Sequence, residues 1–269
     1  MQRPIDYVPR LNEKYQSLGF PEYRWTIHTE TPLTPPTKPL AECTVSLLTS
    51  GGVSLRDAPP FDPDARNDLR LDAIPNDAPS SAFQIHDNYY DHTDAGRDIN
   101  CIFPIDRLRE LAAEGTIGGV AARLWSGFMG RIYIRSTVTD EAAPAFVREL
   151  EADGVDILVL VPACPLDHQT AGLVSRVAEA AGIVTVNVST GRDLTRQVMP
   201  PRSVFVNFPM GNCFGRPGDV EQQTRILRDA LELAASDCAP GALVDLPYDW
   251  GEPFEVYFRD TTREYQLKK

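Results

Sequence analysis

The sequence predicts an α/β protein built on a doubly wound, mainly parallel sheet of the Rossmann or flavodoxin type, in one domain or two lobes. Three observations carry this. Val155–Val161 (VDILVLV) is a nearly continuous aliphatic run, the pattern of a strand buried on both faces of a parallel sheet. A helical periodicity comes next, from about Asp167 to Ala181, and Ile183–Val188 (IVTVNV) reads as the next strand. Ser203–Phe208 is a further strand, succeeded after a glycine-rich loop by an amphipathic helix over Asp219–Ala235.

The earlier elements are less regular. Residues 1–40 read as an N-terminal arm, with Tyr23 and Trp25 as anchors and TPLTPPTKPL (Thr31–Leu40) as extended polyproline-type chain. Such an arm packs on another domain or a second subunit, so a homo-oligomer joined through it is expected. Cys43–Leu48 is a short strand ended by Thr49-Ser50-Gly51-Gly52; Asp68–Ile74 and Ala82–His86 are strand candidates. Pro104–Ala113 is a helix with proline in its first turn and Gly115 beyond its end. Another helix spans about Glu141–Ala152 and stops at Gly154. Residues 41–250 form the α/β catalytic region, and 251–269 a surface or disordered tail.

Composition bounds the function. The chain has 269 residues and a formal net charge of −12, which disfavours nucleic acid as a partner. No apolar run reaches the roughly 18 residues of a membrane span. The N-terminus lacks the apolar core of a signal peptide, so cytoplasmic location is expected. The five cysteines are odd in number and widely spaced, with no CxxC pair. In a reducing compartment they are free thiols rather than a zinc knuckle.

Ligands of open parallel sheets bind beyond the carboxyl ends of the strands. The residues just past those ends include Ser50 and Gly51, His86 and His92, Cys164, and Gly211, Asn212 and Cys213. Cys164 stands just before a helix start, where free N–H groups and the helix dipole favour a thiolate. His168, one turn on, is placed to act as base or cationic partner. Asp167 works against the thiolate unless it caps the helix and faces away. His86 or His92 could protonate a leaving group, and with Cys164 they form a weaker metal alternative, although no HxH or HxxxH spacing exists. Gly211–Gly218 could offer N–H groups to a carboxylate, but its spacing matches no P-loop or dinucleotide fingerprint. No nicotinamide, flavin or nucleotide cofactor is expected.

With these segments in view, the chain resembles the glycine/sarcosine/betaine and D-proline reductase selenoprotein B family, in particular its short stand-alone members. The likeness spans most of residues 43–235 and rests on five pieces. They are the TSGG turn, Asp98–Gly130, VPACPLDHQTAGLVSRVAEAAGIVTV (Val161–Val186), Pro200–Arg202 and FPMGNCFGRPGD (Phe208–Asp219). The resemblance implies that Cys164 stands where the family has its catalytic selenocysteine or cysteine, attacking an activated substrate in reductive cleavage of a C–N-type bond. The family's second cysteine, three residues on, is here Asp167. Another thiol then resolves the intermediate, with Cys213 the candidate, or an external thiol or protein donates electrons. The full reductases work with pyruvoyl-carrying partners, and no self-processing site is seen in this chain. The expected activity is a cysteine-dependent oxidoreductase on a small anionic molecule, with Cys164, His168, Asp167, His86 and His92 catalytic. Ser50, Gly51, Gln169, Gly211, Asn212 and Cys213 are the expected substrate-binding residues. A redox-neutral lyase or hydrolase using Cys164, Asp167 and His168 is the alternative, and a non-catalytic accessory subunit a further one.

Overall fold

A computed structural model describes residues 2–258. Residues 259–269 of the expected tail lie outside the described residues. In chain order the helices are α1 (Tyr7–Ser17), α2 (Thr93–Arg97), α3 (Ile105–Ala113), α4 (Arg135–Thr137), α5 (Ala143–Ala152), α6 (Pro165–Ala180), α7 (Arg192–Val198) and α8 (Val220–Ala234). The strands are β1 (Thr44–Thr49), β2 (Val53–Leu55), β3 (Leu71–Pro75), β4 (Phe83–Ile85), β5 (Gly119–Val120), β6 (Arg123–Gly127), β7 (Ile157–Val161), β8 (Val184–Ser189), β9 (Arg202–Phe205) and β10 (Ala242–Asp245).

The expected doubly wound α/β sheet is present. Eight strands form one sheet in the order β10-β9-β8-β7-β1-β6-β3, with β5 beside β1. Pairings along it are parallel except for β3, which runs antiparallel to β6 at the edge. β2 and β4 make a separate two-stranded ribbon. All five residues of β7 are buried, as its aliphatic run requires. The chain leaves β1 toward β6 on one side and returns through β7 on the other. The switch point of the winding therefore lies where the carboxyl ends of β1 and β7 meet, and the Ser50 N–H donates to the Val161 carbonyl there at 3.2 Å.

Helix α6 shows how the site is fixed locally. Pro165 occupies its first turn, and beyond its far end Gly182 adopts φ +96°, a left-handed conformation glycine accepts without a Cβ clash. The helix starts two residues before the sequence pattern indicated, so its N-cap is Cys164 itself. The arm carries α1, which its mixed composition did not announce, and then crosses α6 in extended form. Thr26 N–H donates to the Gln169 side chain at 2.8 Å, and Thr34 N–H to Glu179 at 2.6 Å. No helix among the described residues is long and apolar enough to cross a membrane.

Candidate functional site

A cavity of about 1230 Å³ opens over the carboxyl end of β7. Its walls come from α1 and the arm, from the segment around Asp64, from Asp87 and Tyr89, and from the loop after β6. Cys164 lines it. Cys43, Cys101 and Cys213 are buried elsewhere, and partly exposed Cys238 does not line it.

Cys164 and Asp167 form a capping box. The Asp167 N–H donates to the Cys164 sulfur, and Asp167 Oδ2 accepts from the Cys164 N–H at 2.8 Å and from the Ala163 N–H at 3.2 Å. Asp167 is thus the third helical residue rather than the N-cap, and it caps the helix without leaving the thiol's surroundings. Its Oδ1 is buried beside Gly130 with no partner of standard geometry among the described residues. A Cβ on Gly130 would fall 2.7 Å from that oxygen, so glycine is required where the β6 loop meets α6.

Two opposing effects act on the Cys164 thiol. A helix start favours the thiolate by about 0.3–2 kcal/mol, roughly one pKa unit. Burial can raise a pKa by about 3–5 units, and burial wins here. Desolvation, with the carboxylates of Asp167 and Asp87 adding to it, pushes the thiol well above its ordinary value. The resting group is a protonated thiol. Burial also raises the Asp167 carboxyl to about 7, held from rising further by the N–H groups it accepts. A carboxyl that exchanges its proton near neutral pH therefore sits against a protonated thiol.

His168 is buried and does not line the cavity. Its Nδ1 meets the Cys164 carbonyl at 2.8 Å, and Nε2 accepts from the Gly191 N–H at 3.0 Å. This pattern fixes the neutral tautomer with the proton on Nδ1, and burial drives the pKa down to about 4. Because the folded pKa lies below the ordinary 6.5, the stability it confers is complete above 6.5 and lost as pH falls toward 4. Urea unfolding should lose about 3 kcal/mol over that window. A His168→Asn variant should lack that part of the slope, and an unchanged slope would refute the assignment.

The other expected residues fall into two groups. Gln169 is buried and ties α6 to the arm, its Nε2 donating to the Tyr23 hydroxyl at 3.1 Å; Tyr23 lines the cavity, Gln169 does not. Ser50 and Gly51 are buried at the end of β1, where the Tyr90 hydroxyl donates to the Gly51 carbonyl at 2.7 Å. Cys213 donates to the Pro162 carbonyl at 3.2 Å behind the Cys164 segment, and burial raises its thiol to about 12. Gly211 packs on Tyr90, and Asn212 donates to Asp94 and to the Gly215 carbonyl. Much of that loop's hydrogen bonding is internal, and none of its residues lines the cavity. His86 and His92 are part-buried outside the cavity, His92 with its ring 6.0 Å from that of Tyr90. No group of three or more metal-ligating side chains exists among the described residues.

Sequence reasoning passed over Asp87, Tyr15, Arg131 and Arg135, all in the cavity wall. Arg131 and Arg135 lie beyond Arg123–Gly127, a strand with no β-branched residue to mark it. Asp87 directly follows His86 in the sequence, and no spacing sets it apart.

Comparison with known proteins agrees with this architecture. The glycine/sarcosine/betaine reductase selenoprotein B family matches residues 8–163, ending one residue before Cys164 and reaching well into the arm. The D-proline reductase subunit gamma of Acetoanaerobium sticklandii is 34% identical over 81% of this chain and 92% of its own length. The glycine reductase complex component B subunits gamma of Carboxydothermus hydrogenoformans and Peptoclostridium acidaminophilum are 28% and 24% identical. They align with 77% and 74% of this chain, which spans only 48% and 47% of their lengths. No solved structure matches the chain.

Proposed function

The chain belongs to the glycine/sarcosine/betaine reductase selenoprotein B family, and from that premise we propose that it is a cysteine-dependent oxidoreductase cleaving a C–N-type bond of an anionic small molecule. Cys164 is the nucleophile in this reading. The observation that carries it is that Cys164, alone among the described cysteines, lines the large cavity at the switch point of the sheet.

The chemistry is set by the protonation states. Substrate binding lets the Cys164 proton pass to Asp167, and the thiolate attacks carbon as the C–N bond breaks. The electron pair leaves on nitrogen, which takes a proton from the Asp167 carboxyl. Release of the carbon group as a C–H product requires two thiols from an external donor, which end as a disulfide while Cys164 regains its proton. Cys213 is a poor donor here because it lies behind the cavity wall with its thiol hydrogen-bonded. Two of the relatives are named as subunits of reductase complexes, which supports a protein as the electron source. His168 is a positioning residue in this scheme, holding the Cys164 carbonyl and the Gly191 turn together.

The buried Asp167 carboxyl, raised to about 7 beside the thiol, favours one second reading, a redox-neutral lyase in which the carboxyl serves as acid and base without any reductant. Thiol-dependent release of amine, with dithiothreitol as donor and a panel of amino acids as substrates, separates the two. The reductase reading expects turnover only with the thiol, and none in a folded Cys164→Ser variant. Retained turnover in that variant would end the reductase reading.

A further inference from the structure

The cavity beside Cys164 has room for far more than a small amino acid. Its volume of about 1230 Å³ exceeds the roughly 300–1,000 Å³ usual for small-molecule sites. Its wall is aromatic, with Tyr15, Tyr23, Trp25, Tyr89 and Tyr133. Among the arginines of that wall (Arg24, Arg66, Arg131 and Arg135), the last two lie over aromatic rings. The Arg131 guanidinium lies 5.5 Å from the Tyr89 ring centre, with Nη1 donating to the Asp64 carbonyl at 2.7 Å. Arg135 lies 5.4 Å from the Tyr23 ring centre. A cation–π contact of this kind helps to hold a guanidinium, whose forked donors suit a planar anion.

The unsatisfied groups of this wall point the same way. Arg135 Nε and Trp25 Nε1 are buried without hydrogen-bond partners among the described residues, and neither side chain can accept. The five carboxylates of the wall are engaged already, Asp62 accepting from the Asp64 N–H at 2.9 Å. Asp68 accepts from the Arg70 N–H at 2.9 Å, Asp87 from the Tyr89 N–H at 2.6 Å, and Glu22 from Asn12 at 3.1 Å. Asp64 lies 3.6 Å from Arg131. Tyr15, Cys164 and Arg131 all line this cavity, so the thiol and the cation border one space.

We propose that Arg131 determines specificity by holding a substrate carboxylate, supported by Arg135 and Trp25, and that the substrate is a carboxylate with a bulky aromatic or apolar body. The inference rests on the reading that Cys164 is the nucleophile. It is tested on the full chain by NMR titration with 4-phenylbutyrate, 4-phenylbutyramide and D-proline, alongside protection of Cys164 from iodoacetamide. The acid should bind saturably and protect the thiol, with the amide weaker by about tenfold or more and D-proline unable to compete. Arg131→Gln should bind acid and amide alike, and Arg131→Lys should recover part of the preference. Equal binding of acid and amide by the native chain, an unchanged preference in Arg131→Gln, tighter binding of D-proline, or no saturable binding would each overturn it. The titration does not need the thiol. If Cys164 never reacts with iodoacetamide while the titration behaves as expected, the nucleophile reading fails and the carboxylate site stands.

Discussion

Replacing Asp167 with asparagine should move two measurements in opposite directions. The amide keeps an oxygen to accept the Cys164 and Ala163 N–H bonds, so the capping box survives. It removes a carboxylate that raises the thiol pKa. A fall of about one unit would speed alkylation of Cys164 at pH 8 about tenfold. Turnover should instead drop by roughly 10²–10⁴, the usual contribution of a positioned acid or base. Stability should shift as well. The folded Asp167 pKa of about 7 lies above the ordinary 3.8, so its contribution is complete below 3.8 and lost as pH rises through 7. The variant should therefore resist unfolding better than the native chain at pH 8. Slower alkylation together with undiminished turnover would remove Asp167 from the mechanism.

A Glu179→Ala change should cost about 3–5 kcal/mol, because it strands a buried guanidinium. Arg202 and Glu179 are both fully buried, with Arg202 Nη1 donating to Glu179 Oε1 at 2.7 Å. The same carboxylate accepts from the Thr185 N–H at 2.6 Å, and Arg202 Nη2 donates to the Thr34 carbonyl at 2.8 Å. One ion pair thus joins α6, β8, β9 and the proline-rich arm. At about 2–4 °C per kcal/mol for a chain of this size, the midpoint of thermal unfolding should fall by roughly 10 °C. An apolar pair, Glu179→Leu with Arg202→Met, should recover much of the loss, since replacing both partners removes the uncompensated charge. A single variant that unfolds with the native midpoint would contradict the assignment. The arm carries Tyr23 and Trp25 into the cavity wall, so the stable double variant also reports whether the Thr34 anchor matters for binding.

The fold was legible where burial on both faces leaves a strong signature. The VDILVLV run, the α6 periodicity and the IVTVNV strand gave the core of the sheet and hence the position of Cys164. Weakly patterned elements escaped: Arg123–Gly127 has no β-branched residue and ends in glycine, α7 is brief, and α1 is mixed in polarity. The site was legible only at its centre. Strand-end logic gathered His168, Gly211, Asn212 and Cys213 because it identifies what lies near a sheet edge, not what faces open space. The side chains of His168, Asn212 and Cys213 turned out to knit the loops together. The cavity wall came instead from the arm and from the loop after β6, brought close by tertiary packing that no local spacing records. Pro200–Arg202 is explained by the buried ion pair, a structural rather than chemical reason for that motif.

Cys164 as a nucleophile reached through the cavity is tested most directly by site-resolved mass spectrometry of iodoacetamide labelling, measured against pH in the folded protein. Cys164 should be labelled while Cys43, Cys101 and Cys213 stay silent, its rate low at neutral pH and climbing above pH 8 as burial and the two carboxylates dictate. If Cys164 is as silent as Cys213 at every pH where the fold persists, it is an inert core thiol and no nucleophile.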